Sequence, residues 1–157
     1  TLLCQDSGKT LCVAKGVRKL KSSNRANLEP GNLVKVFLVE TKGLPLLTQS
    51  QLLRDAAPVR RSLTGIRQLT EVLEIFDRLF VENDIDSQSY QIAYRIYRQL
   101  LSRNKRNLQI KAELNHLLES LGYQSLQETK HHNIADYVAE LSEKKMHSYD
   151  FLQPKKR

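Results

Sequence analysis

The spacing of apolar residues along the chain changes near residue 55. Before that point, short apolar runs alternate with turn residues, which predicts strands at 1–4, 11–14, 33–39 and 46–53. The run 33–39 is apolar at both odd and even positions, as is typical of a largely buried strand. After Pro58, apolar residues recur every three to four positions, which predicts amphipathic helices. We therefore predict an α+β chain with a small β module in residues 1–54 and an α-helical bundle in residues 55–157.

Four helices are predicted in the second part, covering the apolar stripes at 66–80, 90–101, 110–121 and 134–141. Ser87 is the predicted N-cap of the second helix. Gly122 is predicted just beyond the end of the third helix, and Asn133 is the predicted N-cap of the fourth.

Gly8-Lys9-Thr10 resembles the end of a phosphate-binding loop, but its surroundings argue against one. That motif needs a glycine five positions before Gly8, where this chain has Leu3, and it needs a helix after it. The residues that follow, 11–13, are instead typical of a strand. We interpret Asp6-Ser7-Gly8 as a hairpin turn and Pro30-Gly31 as a second turn.

Charge is concentrated in the first third of the chain. The 157 residues carry a net charge of +8, and residues 1–54, with nine Lys or Arg against three Asp or Glu, account for +6 of it. Most of these cations fall between residues 15 and 25, where no acidic residue intervenes. Such a cluster projects a positive potential that attracts polyanions. We predict a nucleic-acid-binding surface formed by Lys15, Arg18, Lys19, Lys21, Arg25 and Lys35, with Lys9 as a further extension. The alternative is a solvated loop that only keeps the protein soluble.

Aromatic residues that could stack on bases are scarce near this cluster. Phe37 is the only aromatic residue before Phe76, and its place in an apolar run favours a core position. The pattern therefore indicates contacts to the phosphate backbone rather than to bases.

The chain offers no clear catalytic or metal-binding motif. Cys4 and Cys12 are its only cysteines, and we expect both to be reduced. Four zinc ligands at paired spacing are absent from the sequence, and the adjacent His131 and His132 are interpreted as solvated loop residues. We predict no enzymatic activity, no metal site and no cofactor. The sequence also contains no run of eighteen apolar residues, so a transmembrane helix is not predicted.

Tyrosines repeat at helical spacing in the second predicted helix, and two interpretations remain open. Their spacing fits a buried stripe, but arginines surround them, and tyrosine tolerates a half-wet site. The second interpretation is a docking surface for an acidic segment of a partner protein.

Several motifs together resemble the RecO family of bacterial recombination mediators. They are Val-Ala-Lys-Gly-Val-Arg-Lys-Leu-Lys at 13–21, Leu-Glu-Pro at 28–30, Leu-Thr-Gln at 47–49, Phe-Asp-Arg-Leu at 76–79 and Leu-Gly-Tyr at 121–123. The motifs occur in the family's order and at the family's spacing, and the resemblance extends over about four-fifths of the chain.

The resemblance implies an OB-fold barrel followed by a helical domain, and a non-enzymatic role in the bacterial cytoplasm at the nucleoid. It implies binding of single- and double-stranded DNA, annealing of complementary strands and, with RecR, assistance in loading the recombinase RecA. It also implies binding of the acidic C-terminal tail of the single-stranded-DNA-binding protein, for which we predict Tyr94, Tyr97, Arg98 and Lys111.

Two departures from the family pattern matter. Many members carry a four-cysteine zinc module after the Leu-Gly-Tyr segment, whereas residues 124–133 contain no cysteine, so we expect a short, zinc-free form. A closed OB barrel needs five strands, and residues 1–54 predict only four. Since the first residue is Thr1 rather than Met, we expect an N-terminally truncated form whose barrel has an open edge.

Two other functions fit the sequence less well. One is a basic RNA- or ribosome-associated adaptor, and the other is a helical scaffold that binds acidic protein segments. Annealing of complementary strands would distinguish the recombination mediator from both.

Overall fold

The computed structural model describes residues 1–17, 23–102 and 107–148. A small β region comes first and helices follow it, which confirms the predicted α+β class. The predicted division into domains 1–54 and 55–157 stays a prediction. Strand β4 ends at Arg54, and the next helical turn begins at Ala57.

Two antiparallel hairpins make up the described β region. Strand β1 (Leu2–Cys4) pairs with β2 (Gly8–Thr10), and β3 (Leu33–Val39) pairs with β4 (Leu46–Arg54). A parallel bridge between Val13 and Leu46 joins the two hairpins. Within the described residues these strands form two two-stranded sheets. Because Gly8–Thr10 is strand, this segment is part of a hairpin rather than a phosphate loop, as predicted. The return strand was predicted at 11–14 and was therefore placed wrongly, since it begins at Gly8, directly after the turn.

Strand β3 has the predicted bounds but not the predicted burial. Its even-numbered side chains, Val34, Val36 and Leu38, are half-buried, whereas the odd-numbered positions from 35 to 39 are exposed. Phe37 is 51% exposed, so the prediction that it belongs to the core was wrong. The sheet has only two strands here, helix α1 contacts β4, and the face that carries the odd-numbered side chains is open.

The turn before β3 explains the Pro-Gly pair. The N–H of Asn32 donates to the carbonyl of Glu29 at 3.1 Å, and Gly31 has a φ of 82°, the geometry of a type II turn. A side chain at Gly31 would also collide with Leu69. The turn therefore needs glycine both for its backbone conformation and for close packing on the helices.

Six α-helices occur in the described residues: α1 (Ser23–Asn27), α2 (Ala57–Arg60), α3 (Leu63–Leu79), α4 (Ser87–Leu101), α5 (Asn107–Ser120) and α6 (Ile134–Leu141). The N-cap of α4 is Asp86, whose carboxylate accepts from the N–H of Ser89 at 2.8 Å, so the prediction of Ser87 was off by one residue. Asn133 caps α6 as predicted. Gly122, with a φ of 84°, ends α5 as predicted.

The main core lies among helices α2 to α6. Its fully buried side chains are Ile75, Ile92, Ile96, Leu100, Leu117, Leu118 and Val138. Helix α4 packs on α5, and α3 contacts both α4 and α6. In the described part of the chain, no helix is long and apolar enough to cross a membrane.

Asn32 connects the β region to the start of the helices. Its side-chain oxygen accepts from the N–H of Ala56 at 2.9 Å and from Arg60 at 3.1 Å. Its side-chain nitrogen donates to the carbonyls of Ala26 and Asn27 in α1, at 3.1 and 3.2 Å. One amide thus holds together α1, the start of β3 and the turn of α2.

The side chain of Glu74 on α3 also joins two distant segments, because it binds the backbone near the end of the described residues. Its carboxylate accepts from the backbone N–H groups of His147 and Ser148, each at 2.7 Å, and from Arg78 at 3.0 Å. Burial works to raise the pKa of Glu74, but these hydrogen bonds outweigh it and lower the pKa to about 2. The ionised carboxylate therefore ties residues 147–148 to α3.

Substituting Glu74→Gln should lower the free energy of unfolding at pH 7 by about 2 kcal/mol, as expected when a charged acceptor is lost. The folded pKa lies below the ordinary value of 4.5, so the contribution of Glu74 is complete above about pH 4.5. It is lost as the pH falls toward 2. Urea titrations at several pH values measure the difference between the two proteins.

The exposed Glu143→Gln serves as the control and should change stability by less than about 0.5 kcal/mol. A difference between wild type and Glu74→Gln that stayed constant from pH 7 to pH 2.5 would contradict this assignment.

Candidate nucleic-acid interface

The predicted basic surface is only partly within the described residues. Arg18, Lys19 and Lys21 lie outside them. Lys15, Arg25 and Lys35 are described, and all three are exposed. Within the described residues none of the three forms an ion pair, so their charges face solvent.

Helix α1 places Arg25 beside the β3–β4 hairpin. The hydroxyl of Ser50 on β4 donates to Asn24 at 2.7 Å, and the amide of Asn27 donates to the Ser50 carbonyl at 2.9 Å. Asn32 holds the end of the same helix. The basic segment therefore ends in a helix that is hydrogen-bonded to the strands.

Lys35 lies on the exposed face of this hairpin, where it neighbours Phe37. Its Nζ is 5.7 Å from the centroid of the Phe37 ring, within the range of a cation–π contact. The residues directly opposite on β4 are Gln51 and Gln49, which are also exposed. Together, Lys35, Phe37, Gln49 and Gln51 form what we call the hairpin face.

Sequence reasoning assigned Phe37 to the core and so missed this part of the surface. The apolar residues on both sides of β3 suggested burial on both faces. The available signal was in the partner strand, where Gln49 and Gln51 alternate with less polar positions and pair with Phe37 and Lys35. A cross-strand pair shares one face, so polar partners indicate an exposed face.

Lys9 does not extend the basic surface as predicted. Its Nζ lies 3.1 Å from the carboxylate of Asp77 and 2.6 Å from the Asp77 carbonyl, and only 19% of its side chain is exposed. Asp77 belongs to α3, so this pair fixes strand β2 to the helices. The charge of Lys9 is thus used within the fold.

Three tyrosines of α4 form a stacked row. Tyr90 and Tyr94 have ring centroids 6.5 Å apart, and Tyr94 and Tyr97 are 6.3 Å apart. Burial raises the pKa of Tyr90, and the nearby Cys4 raises it further. Burial also raises the pKa of Tyr97, against the opposing charge of Arg54. The row therefore faces the β region of the same chain and is half-buried there.

The four residues predicted to bind a partner tail lie on two neighbouring helices. Tyr94 and Tyr97 are half-buried, and Arg98 is exposed next to them on α4. Lys111 is exposed on α5, where its charge acts on Glu71 of α3. Arg95 reaches Glu113 of α5 at 3.0 Å, on another side of α4 from the tyrosine row. The binding site for the partner tail stays a prediction.

The cysteines and histidines do not assemble into a metal site. Cys4 and Cys12 are both free thiols, and burial raises the pKa of Cys12. His131 is not a simple solvated residue, because its ring stacks on Tyr137 at 5.4 Å and its Nε2 lies 3.0 Å from Glu140. Across the described residues, no group of three or more His, Cys, Asp or Glu side chains could hold a metal ion.

Comparison with known proteins shows which family the β region resembles. Residues 1–56, about a third of the 157 residues, match the family model described as Recombination protein O N terminal. The β region with its exposed cations is thus similar to the N-terminal domain of that family.

Three curated proteins are similar to the chain over longer stretches. The DNA repair protein RecO of Syntrophomonas wolfei is 27% identical over 126 residues, which cover 80% of this chain and 50% of that protein. The one from Heliobacterium modesticaldum is 33% identical over 79 residues, covering 50% of this chain and 29% of that protein. The one from Cutibacterium acnes is 29% identical over 97 residues, covering 61% of this chain and 38% of that protein. The matched region spans half or less of each of these relatives. No solved structure is significantly similar to the chain.

Two lysine substitutions test which cations belong to the fold. Lys9→Gln should lower the free energy of unfolding by about 1–2 kcal/mol, because it removes charge-assisted hydrogen bonds that are partly buried. Lys35→Gln should change it by less than about 0.5 kcal/mol, because Lys35 is exposed. Urea denaturation of both variants measures this, and equal effects would contradict the assignment.

Proposed function

We propose that this chain acts in DNA repair and recombination as a non-enzymatic protein that binds single- and double-stranded DNA and anneals complementary strands. The similarity to the RecO family supports this role. The observation that carries it is the set of exposed cations near the β3–β4 hairpin that form no ion pair with any described residue, because phosphate binding requires cations that the fold has not already neutralised. Lys15, Arg25 and Lys35 meet this requirement, and Lys9 does not.

Annealing needs little more than such a surface. Two complementary strands repel each other through their phosphates, and bound lysines and arginines reduce that repulsion while releasing counterions. Contacts to the backbone hold the strands without specifying sequence, so any complementary pair can form. No bond is made or broken by the protein in this process.

The proposed partners follow from the family. We propose that RecR cooperates with the chain in loading RecA, and that the acidic tail of the single-stranded-DNA-binding protein docks near Tyr94, Tyr97, Arg98 and Lys111. The exposed Arg98 beside half-buried aromatic rings offers a positive charge and an apolar surface together. The proposed setting is the bacterial cytoplasm, at the nucleoid.

Removing the positive charges of Lys15, Arg25 and Lys35 should weaken the annealing of complementary strands. We consider a variant with Lys15→Gln, Arg25→Gln and Lys35→Gln. For single-strand binding, the negative slope of log K against log salt should become shallower by about 2, since each phosphate contact contributes about 0.7 to its magnitude. The annealing rate of complementary oligonucleotides should fall with it. Fluorescence anisotropy and a strand-annealing assay measure the two effects.

A matched control removes three exposed lysines from the helical region: Lys130→Gln, Lys144→Gln and Lys145→Gln. It changes the net charge by the same amount and should leave the slope nearly unchanged. If the salt slope and the annealing rate fell equally in both variants, only the total charge would matter, and the proposed interface would be wrong.

A synthetic peptide with an acidic segment and a C-terminal Phe tests the partner site. Arg98→Glu should weaken its binding about tenfold at low salt, because it places a like charge beside the peptide. Lys145→Glu, which makes the same charge change on an exposed residue elsewhere, should have little effect. Isothermal titration measures both, and failure of the wild-type protein to bind the peptide would remove this part of the proposal.

A further inference from the structure

The hairpin face contains a feature that phosphate binding alone does not explain. Phe37 is 51% exposed although it lies in the middle of a strand. It is flanked by groups that interact with polar ligands: Lys35 on its own strand, with Nζ 5.7 Å from the ring centroid, and Gln49 directly opposite on β4.

Each member of the hairpin face suits a different part of a nucleotide. An exposed aromatic ring stacks on any base, since every base has a π-face. The ammonium of Lys35 is suited to a phosphate, and the amides of Gln49 and Gln51 both donate and accept hydrogen bonds. Lys35 and Phe37 are about 7 Å apart along the strand. A backbone contact and a base contact therefore lie within reach of one short stretch of nucleic acid.

The exposed position of the Phe37 ring also favours single-stranded over duplex nucleic acid. In a duplex, the faces of the bases are covered by their neighbours in the stack, so a ring at the protein surface cannot stack on them without unstacking the helix. In a single strand the base faces are available. The ring thus favours single strands, whereas the surrounding cations bind both forms.

A protein partner is the competing occupant of this face. Val39 and Leu53 are also exposed, at 52% and 56%, and would add to an apolar contact. However, the lysine and the two glutamines border the ring on its own strand and on the facing strand, so the surface next to Phe37 is polar and positively charged. That composition favours nucleic acid over an apolar protein surface.

We propose that the hairpin face is a base-stacking site for single-stranded nucleic acid, with Phe37 as the stacking ring and Lys35 as its phosphate contact. This inference rests on the proposed DNA-binding function and adds to it a means of distinguishing single strands from duplex. The cations bind any phosphate backbone, and Phe37 adds affinity only where bases are unpaired.

Three ligands of equal length test the proposal: an oligothymidine, an oligomer of abasic sites and a mixed-sequence duplex. The abasic oligomer keeps the phosphates and removes the bases. Wild type should bind oligothymidine about tenfold or more tightly than the abasic oligomer. Phe37→Ala should reduce the affinity for oligothymidine to that for the abasic oligomer, while the affinities for the abasic oligomer and the duplex stay unchanged.

Two further variants control for other effects of the substitution. Phe37→Tyr keeps an aromatic ring and should bind all three ligands as wild type does. Val39→Ala removes an exposed apolar side chain two residues along the same face of β3 and should also bind as wild type does. Thermal unfolding should be similar for all variants, because the changed side chains are exposed.

The possible failures are distinguishable. If Phe37→Ala binds oligothymidine as wild type does, or weakens oligothymidine and duplex equally, the stacking site is wrong, and duplex binding still supports the proposed function. If Phe37→Ala leaves DNA affinity unchanged but lowers the sedimentation coefficient, the stacking site is again wrong and the face joins copies of the chain. If wild type binds none of the three ligands, both proposals are wrong.

Discussion

The side chain of Asn32 determines how the β region is placed on the helices. Its amide accepts from the Ala56 N–H and from Arg60, and it donates to two carbonyls of α1. The residue lies between the Pro30-Gly31 turn and β3, so its position depends on a backbone conformation that Gly31 permits. Because α1, β3 and α2 meet at this amide, the arrangement of Arg25 and Lys35 relative to the helical core depends on it.

The basic residues of the β region divide between two tasks according to their neighbours. Lys9 is bound by Asp77 and fixes β2 to α3, so its charge is neutralised. Lys15, Arg25 and Lys35 have no such partner among the described residues and keep their charge at the surface. The acidic residues are therefore as informative as the basic ones, because they determine which cations stay available to a polyanion. The same logic supports the proposal that the hairpin face, with Lys35 beside an exposed ring, binds unpaired bases.

The sequence was sufficient for β3, β4 and the four longer helices α3 to α6, but it missed α1 and placed the second strand at 11–14 instead of Gly8–Thr10. Strand β3, the caps at Asn133 and Gly122, and the Pro30-Gly31 turn follow from local propensity, which does not depend on distant contacts. The exposure of Phe37 and the role of Lys9 were missed because both depend on which surfaces meet: β3 has one face left uncovered, and Lys9 contacts an aspartate 68 residues away. Likewise, the tyrosines of α4 were correctly grouped by their spacing, but only the fold shows that they face the β region.

The central claim is that DNA binds the exposed side of the β3–β4 hairpin together with the basic segment before it. A titration of the ¹⁵N-labelled protein with a short oligothymidine, followed by amide chemical shifts, tests this claim residue by residue. The account predicts the largest shifts at Lys35–Phe37 and Gln49–Gln51, with further shifts at Lys15 and Arg25 and little change in α5 and α6. Shifts confined to α5 and α6, with the hairpin unchanged, would contradict it.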